Sequence, residues 1–136
     1  MKKVFLLSLF VLSLFTSFTY PAERLMDPAA LAAVINDPNA VKPLIINVGM
    51  VAMIKGAKYI GQAEDPANKE KLRSFVKDFP KNKDMVIYCG CCKLVDCWNI
   101  QEADKLLQSM GFTKYKILNL PTDLHTDWIS KKYPMN

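Results

Sequence analysis

Three short apolar runs, separated by long polar segments that each carry a helix signal, constrain this chain more than any other feature. They are Leu44-Ile45-Ile46-Asn47-Val48, Met85-Val86-Ile87-Tyr88 and Tyr115-Lys116-Ile117-Leu118. Runs of four or five such residues are too short for buried helices, and the first two lack the alternation of a half-exposed strand, so they read as strands covered on both faces. Asp27-Pro28 and Asp65-Pro66 are helix starts, each an acceptor side chain followed by a proline at the first helical position. Leu31, Val34 and Ile35 form the apolar stripe of a helix ending near Asn36, and Leu72, Phe75 and Val76 that of a second helix ending before Pro80. A third helix starts near Trp98, with Ile100, Ala103, Leu107 and Met110 at helical spacing and Gly111 as its C-cap. Tyr59 and Ile60 make a very short strand, and Pro121 to Ile129 a last helix. Strands alternating with helices at this spacing predict an α/β fold: three layers, with a central, mostly parallel sheet and helices on both faces.

The amino end belongs to something else. Lys2 and Lys3 precede a largely apolar run from Val4 to Phe15, followed by the small and polar Thr16, Ser17 and Thr19. This is the order of a secretory signal peptide, and a run of 12 residues falls short of the roughly 20 that span a bilayer. Residues 1–20 are therefore read as a signal peptide and 21–136 as one domain, free of the membrane after cleavage and exported to the periplasm or another extracytoplasmic space. The formal charge of +5 becomes +3 once Lys2 and Lys3 are set aside, and the remaining charges of both signs are interspersed. That distribution argues against a nucleic-acid partner.

All four cysteines fall between Cys89 and Cys97, in the segment "YCGCCKLVDCW". Cys89 directly follows the second apolar run, at the carboxyl end of a strand, where ligands bind in open parallel sheets. The loop leads into the third helix, so loop and first-turn N–H groups are available to hold a thiolate. Gly90 lets the backbone curl around the sulfur, Lys93 is the one cation of the loop, and Asp96 opposes it or caps the helix. Cys89 and Cys92 make a Cys-x-x-Cys spacing that permits a redox disulfide at a helix start.

In this order of parts the chain resembles the single-domain rhodaneses: an apolar strand, a cysteine at its end, a loop, a helix closing on Gly111-Phe112, a strand, then Trp128 and Pro134. "LIINVG" stands where that family has a strand ending in Asp-Val-Arg, and "MIKGAKYIG" where it has His-Ile-Pro-Gly-Ala. The resemblance covers Pro43 to Pro134 and implies a rhodanese-like fold and a monomeric sulfurtransferase that needs no cofactor or metal. It implies that Cys89 attacks the outer sulfur of a small donor (a persulfide, polysulfide or thiosulfate), holds it as a cysteine persulfide and passes it to a thiol acceptor. Cys92 or Cys97 is then the expected resolving thiol, able to convert the persulfide into a disulfide. Gly90, Cys91, Lys93 and Trp98 are the expected substrate-binding residues.

Departures from the family pattern carry expectations too. Asn47 and Gly49 replace its Asp and Arg, and Met53 its His, so polar links that brace the site should be lost and the thiosulfate dianion should lack cationic partners. The loop is about four residues longer than usual. Phosphatases on this scaffold need an arginine after five intervening residues, and Val95 stands there. A thioredoxin needs more strands than the 44 residues after Cys92 can supply. The competing class is a non-catalytic rhodanese-like module whose loop binds a metal or is locally disulfide-crosslinked. Four thiols suffice in number for zinc or an iron-sulfur cluster, yet adjacent Cys91 and Cys92 do not match paired zinc knuckles. Elsewhere, His125 reads as a surface or helix-end residue, Met50 and Met53 as gap fillers, Trp128 as core, and Trp98 as core or as a cover for the thiolate.

Overall fold

The computed structural model describes residues 19–136. The expected signal segment lies outside them except for Thr19 and Tyr20, and Tyr20 packs against the core of the domain. Five strands, β1 (Leu25–Met26), β2 (Leu44–Asn47), β3 (Lys58–Tyr59), β4 (Met85–Tyr88) and β5 (Tyr115–Leu118), form one sheet in the order β1-β5-β4-β2-β3. Every pairing is parallel. Three helices, α1 (Pro28–Asn36), α2 (Pro66–Val76) and α3 (Trp98–Ser109), cover its two faces. The fold is thus a three-layer α/β sandwich.

The period of two along each strand divides the core. Ile46, Ile87 and Ile117 point to the side of α2 and α3, where Leu72, Val76, Ile100, Ala103 and Leu107 meet them. Ile45, Val86, Tyr88 and Leu118 point to the other side and pack with Leu31 and Ile35 of α1 and with Trp128. Residues of β4 are buried on both faces, as an apolar run of this kind requires. Arg24, just before β1, is paired with Asp104 of α3, which also accepts from the Tyr115 hydroxyl at 2.5 Å. These contacts tie the amino end to the α3 side.

Helix starts follow the sequence signals. The Asp27 carboxylate accepts from the Ala30 N–H at 2.9 Å and Asp65 from Ala67 at 2.7 Å, each satisfying an amide that the helix cannot. Asp27→Ala should cost about 1 kcal/mol, and for a domain of this size thermal unfolding should fall by roughly 4 °C. An unchanged midpoint would mean that the cap is dispensable.

Two elements differ from expectation. β1 was not foreseen: two residues give no periodicity, and the strand exists because Leu25 and Met26 find Ile117 and Leu118 alongside. The C-terminal segment forms not a helix from Pro121 but one wide π-helical turn, His125–Ile129. Its entry is held by Asp127, whose carboxylate accepts from the N–H groups of Thr122 (2.7 Å) and Asp123 (3.1 Å). Asp127 thereby holds Pro121–Asp123 as a turn and delivers Trp128 to the core, fully buried. Among the described residues no helix is long and apolar enough to cross a membrane.

Candidate functional site: a thiol cluster at the end of the central strand

β4 is the middle strand of the sheet, and Cys89 is the residue that leaves its carboxyl end. Gly90 follows with φ +79°, a left-handed conformation that turns the chain back on itself. The bend places the Cys91 sulfur 3.2 Å from that of Cys89. A turn of 3₁₀ helix at Leu94–Asp96 then carries the chain to Cys97, the N-cap position of α3. The sulfurs of Cys89, Cys91 and Cys97 all lie within 4.8 Å of one another. Cys89 and Cys97 are buried, each 1 % exposed, whereas Cys91 is exposed. Cys92 stands apart from Cys89: its sulfur meets that of Cys91 at 3.5 Å.

The other walls are equally specific. Gly49, just after β2, packs so closely that a Cβ there would lie 2.3 Å from the Cys89 sulfur. Asn99, in the first turn of α3, is buried and aims its amide N–H₂ at the sulfurs of Cys89 (3.6 Å) and Cys91 (3.9 Å), while its Oδ1 accepts from the Glu64 N–H at 3.1 Å. Asn99 was not anticipated. A polar residue one position before the first core residue of a helix is its only trace in sequence, and its partner Glu64 is distant along the chain.

These contacts fix the charge state. The Cys97 thiol donates to the Cys89 sulfur, and burial opposes this, but the Cys91 N–H, the Cys91 thiol and the Asn99 amide add to it. Together they lower the Cys89 thiol from 9.0 to about 6. Burial and the hydrogen bond to Cys89 push Cys91 up to about 12. Cys97 is pushed up as well, by its bond to Cys89 and then by burial. The anion is held mainly by side chains of the cluster, with Cys91 supplying the main-chain amide, rather than by the row of loop and helix amides expected from sequence.

A pH titration tests this. Alkylation of Cys89 by a small haloacetamide should rise through a midpoint near 6, well below the 9.0 of an ordinary thiol. Between those values the unfolded chain holds a proton that the folded Cys89 does not, so stability should increase with pH. Above 9 the sign reverses, because Cys91 and Cys97 keep protons that the unfolded chain loses. A midpoint at the ordinary thiol value would remove the ionised sulfur from the picture.

The remaining expected site residues are at the surface. Lys93 is exposed and is not among the main groups that act on Cys89. Trp98 opens α3 and is 64 % exposed, so it belongs to neither the core nor the wall around the sulfur. His125, which the sequence reads as a surface residue and not as part of the site, is exposed, with Nδ1 3.3 Å from the Ser130 hydroxyl. Bracing by the segment after β2 survives in another form. Buried Asn47 accepts from the Gly49 N–H at 2.9 Å and donates to the Val51 carbonyl (3.0 Å) and the Met53 sulfur (3.4 Å). An open, mostly apolar groove is lined by Met50, Val51, Ala52, Met53 and Tyr59, and none of the four cysteines lines it. A cavity lined by Arg24, Asp84, Lys114 and Tyr115 lies at the opposite end of β4 and β5, away from the thiols.

No protein-family model matches the chain, and no curated relative matches it. Among solved structures, a complex of an EanB variant with hercynine is similar in fold, with a TM-score of 0.53 and 21 % sequence identity. The match covers 82 % of this chain and 27 % of that one, so this chain spans about a quarter of its length.

Proposed function

We propose that the chain is a rhodanese-like sulfurtransferase in which Cys89 captures sulfane sulfur from a small persulfide or polysulfide and passes it to a thiol. One observation carries the reading: at the carboxyl end of the central strand, a buried sulfur is surrounded by hydrogen-bond donors from Cys97, Cys91 and Asn99. Donors of that kind stabilise an anion, which suits both the attacking thiolate and the persulfide that replaces it. In the capture step the Cys89 thiolate bonds to the outer sulfur of the donor. The donor's sulfur–sulfur bond breaks, and its thiolate leaves with the electron pair.

The wall of the site also selects among donors. Among the described residues, no lysine or arginine is one of the main groups that act on Cys89. A compact dianion such as thiosulfate therefore lacks a counter-charge, and a persulfide, with one negative charge, or a polysulfide, whose charge is spread along a sulfur chain, is the better substrate. The test is mass spectrometry of the protein after brief treatment with inorganic polysulfide and, separately, thiosulfate. Polysulfide should place sulfur chemistry on Cys89 in peptide maps, and thiosulfate should do so at least about tenfold more slowly, a loss of about 1.4 kcal/mol in transition-state binding. Reaction confined to Cys92, or none, would refute the assignment.

A second reading has an observation of its own. Three sulfurs within 4.8 Å could hold a soft metal ion, which would make the loop a binding module rather than a catalyst. Stoichiometric metal retained through purification, with thiols unreactive until it is chelated, would favour that reading over sulfur transfer.

A further inference from the structure

Sulfur capture needs one thiol, and the cluster has more. Cys89 presents almost no surface, Cys91 is exposed, and their sulfurs are 3.2 Å apart. Gly90 makes the contact possible, and a Cβ there would meet Leu124 Cβ at 2.7 Å, so the segment after β5 holds the bend in place. Cys97 is as buried as Cys89 and sits in the core beside Leu94 and Ile100, so it offers no exposed sulfur. The sulfur contact of Cys92 is with Cys91. Cys91 therefore combines what neither Cys92 nor Cys97 has, contact with the Cys89 sulfur and access to solvent.

Resting on the sulfur-transfer reading, we infer that Cys91 is the resolving thiol and that the site reduces the sulfur it captures, releasing sulfide at the expense of external thiols. Cys91, rather than the Cys92 or Cys97 expected from sequence, attacks the inner sulfur of the Cys89 persulfide. A bond forms between the Cys89 and Cys91 sulfurs, and the bond from Cys89 to the outer sulfur breaks. The outer sulfur leaves as hydrosulfide with the electron pair and the Cys91 proton. The sulfane sulfur is reduced and the two thiols are oxidised to a disulfide. Two equivalents of a low-molecular-weight thiol, or one dithiol protein, then restore both thiols and leave as their own disulfide.

The geometry favours the regenerating half of this cycle. A bridge closed over one intervening residue departs from relaxed disulfide geometry, and such bridges are readily reduced. The incoming thiol meets the exposed Cys91 sulfur first and expels Cys89, whose stabilised thiolate makes it the better leaving group. The arrangement is thus directional, with capture at the buried sulfur and regeneration at the exposed one.

Anaerobic treatment of the full protein with one equivalent of inorganic tetrasulfide, which leaves the capture step as trisulfide and not as sulfide, tests the inference. Wild type should release one equivalent of sulfide per chain and lose two hydrogens in mass, with peptide mapping locating a Cys89–Cys91 bridge. Cys91→Ser and Cys91→Ala, both at an exposed position, should keep one added sulfur on Cys89 and release at least about tenfold less sulfide until an external thiol is supplied. Wild type that retains the added sulfur, or a bridge that joins Cys92 or Cys97 instead, would overturn the inference and leave sulfur transfer standing. If neither the Cys91 variants nor wild type reacts with polysulfide, the transfer reading falls with it.

Discussion

Cys89→Ser is expected to fold normally and take up no sulfur. Serine occupies nearly the same volume, so the buried site at the end of β4 keeps its packing against Gly49 and the donors around it remain. Its hydroxyl stays protonated at any accessible pH, however, and offers no nucleophile to a polysulfide. Sulfur capture should fall by at least about a thousandfold, the scale on which removal of a covalent nucleophile is felt. The rising limb of stability between pH 6 and 9 should vanish with it, because the group with the lowered thiol pKa is gone. Stopped-flow measurement of polysulfide consumption and thermal unfolding across pH check the two parts. A serine variant that consumed polysulfide at the wild-type rate would end the case for Cys89.

Gly49→Ala should be the most damaging change outside the cysteines. The added methyl would fall 2.3 Å from the Cys89 sulfur and 3.2 Å from its Cβ, well inside the ~3.5–4.0 Å of comfortable non-bonded contact. The sulfur has one rotatable bond and is held by its hydrogen-bond donors, so it cannot give way cheaply. Rotating it abandons Cys97, Cys91 and Asn99. Lifting the loop instead breaks the bond from the Gly49 N–H to Asn47 and disturbs Val51 and Met53 behind it. Overpacking of this kind costs about 1–3 kcal/mol. The displaced sulfur should react roughly a hundredfold more slowly with polysulfide. Alkylation and sulfur capture at wild-type rates in a fully stable Gly49→Ala chain would show that the close approach is immaterial.

Gly49 also marks where the sequence misleads. Compared with a family pattern it is a lost arginine, and the expectation is of a weakened site. In the fold the missing side chain is the space that Cys89 occupies. Asn47, expected from the same resemblance to weaken the site, braces the loop as a neutral amide, with Met53 as a partner.

Local features were legible because the physics behind them is local. Asp-Pro starts, the Gly111 turn and the unbroken runs of β2 and β4 depend on neighbouring residues, and the strands and helices formed where those signals stand. The position of Cys89 at the end of the central strand follows from the same reasoning. What decides its chemistry was not legible. Asn99 is identified only by its convergence with Glu64 and the sulfurs, and the choice of Cys91 over Cys92 turns on one backbone angle at Gly90. Spacing alone favours Cys89 with Cys92, and a left-handed glycine reverses that preference.

The pairing of Leu25 with Ile117 joins the first described strand to the last, and no two neighbouring strands of the sheet are linked by a hairpin. Loop closures of this length must precede the contacts that reward them, so the domain should assemble slowly, on the millisecond-to-second scale rather than in microseconds. The segment from β4 through α3 is contiguous, and β2 pairs directly with β4, so the wall around Cys89 is able to form before β1 docks on the far side of β5. During that interval a competent thiolate would stand in a half-assembled sheet, which makes the maturing chain more vulnerable to oxidants than the finished one.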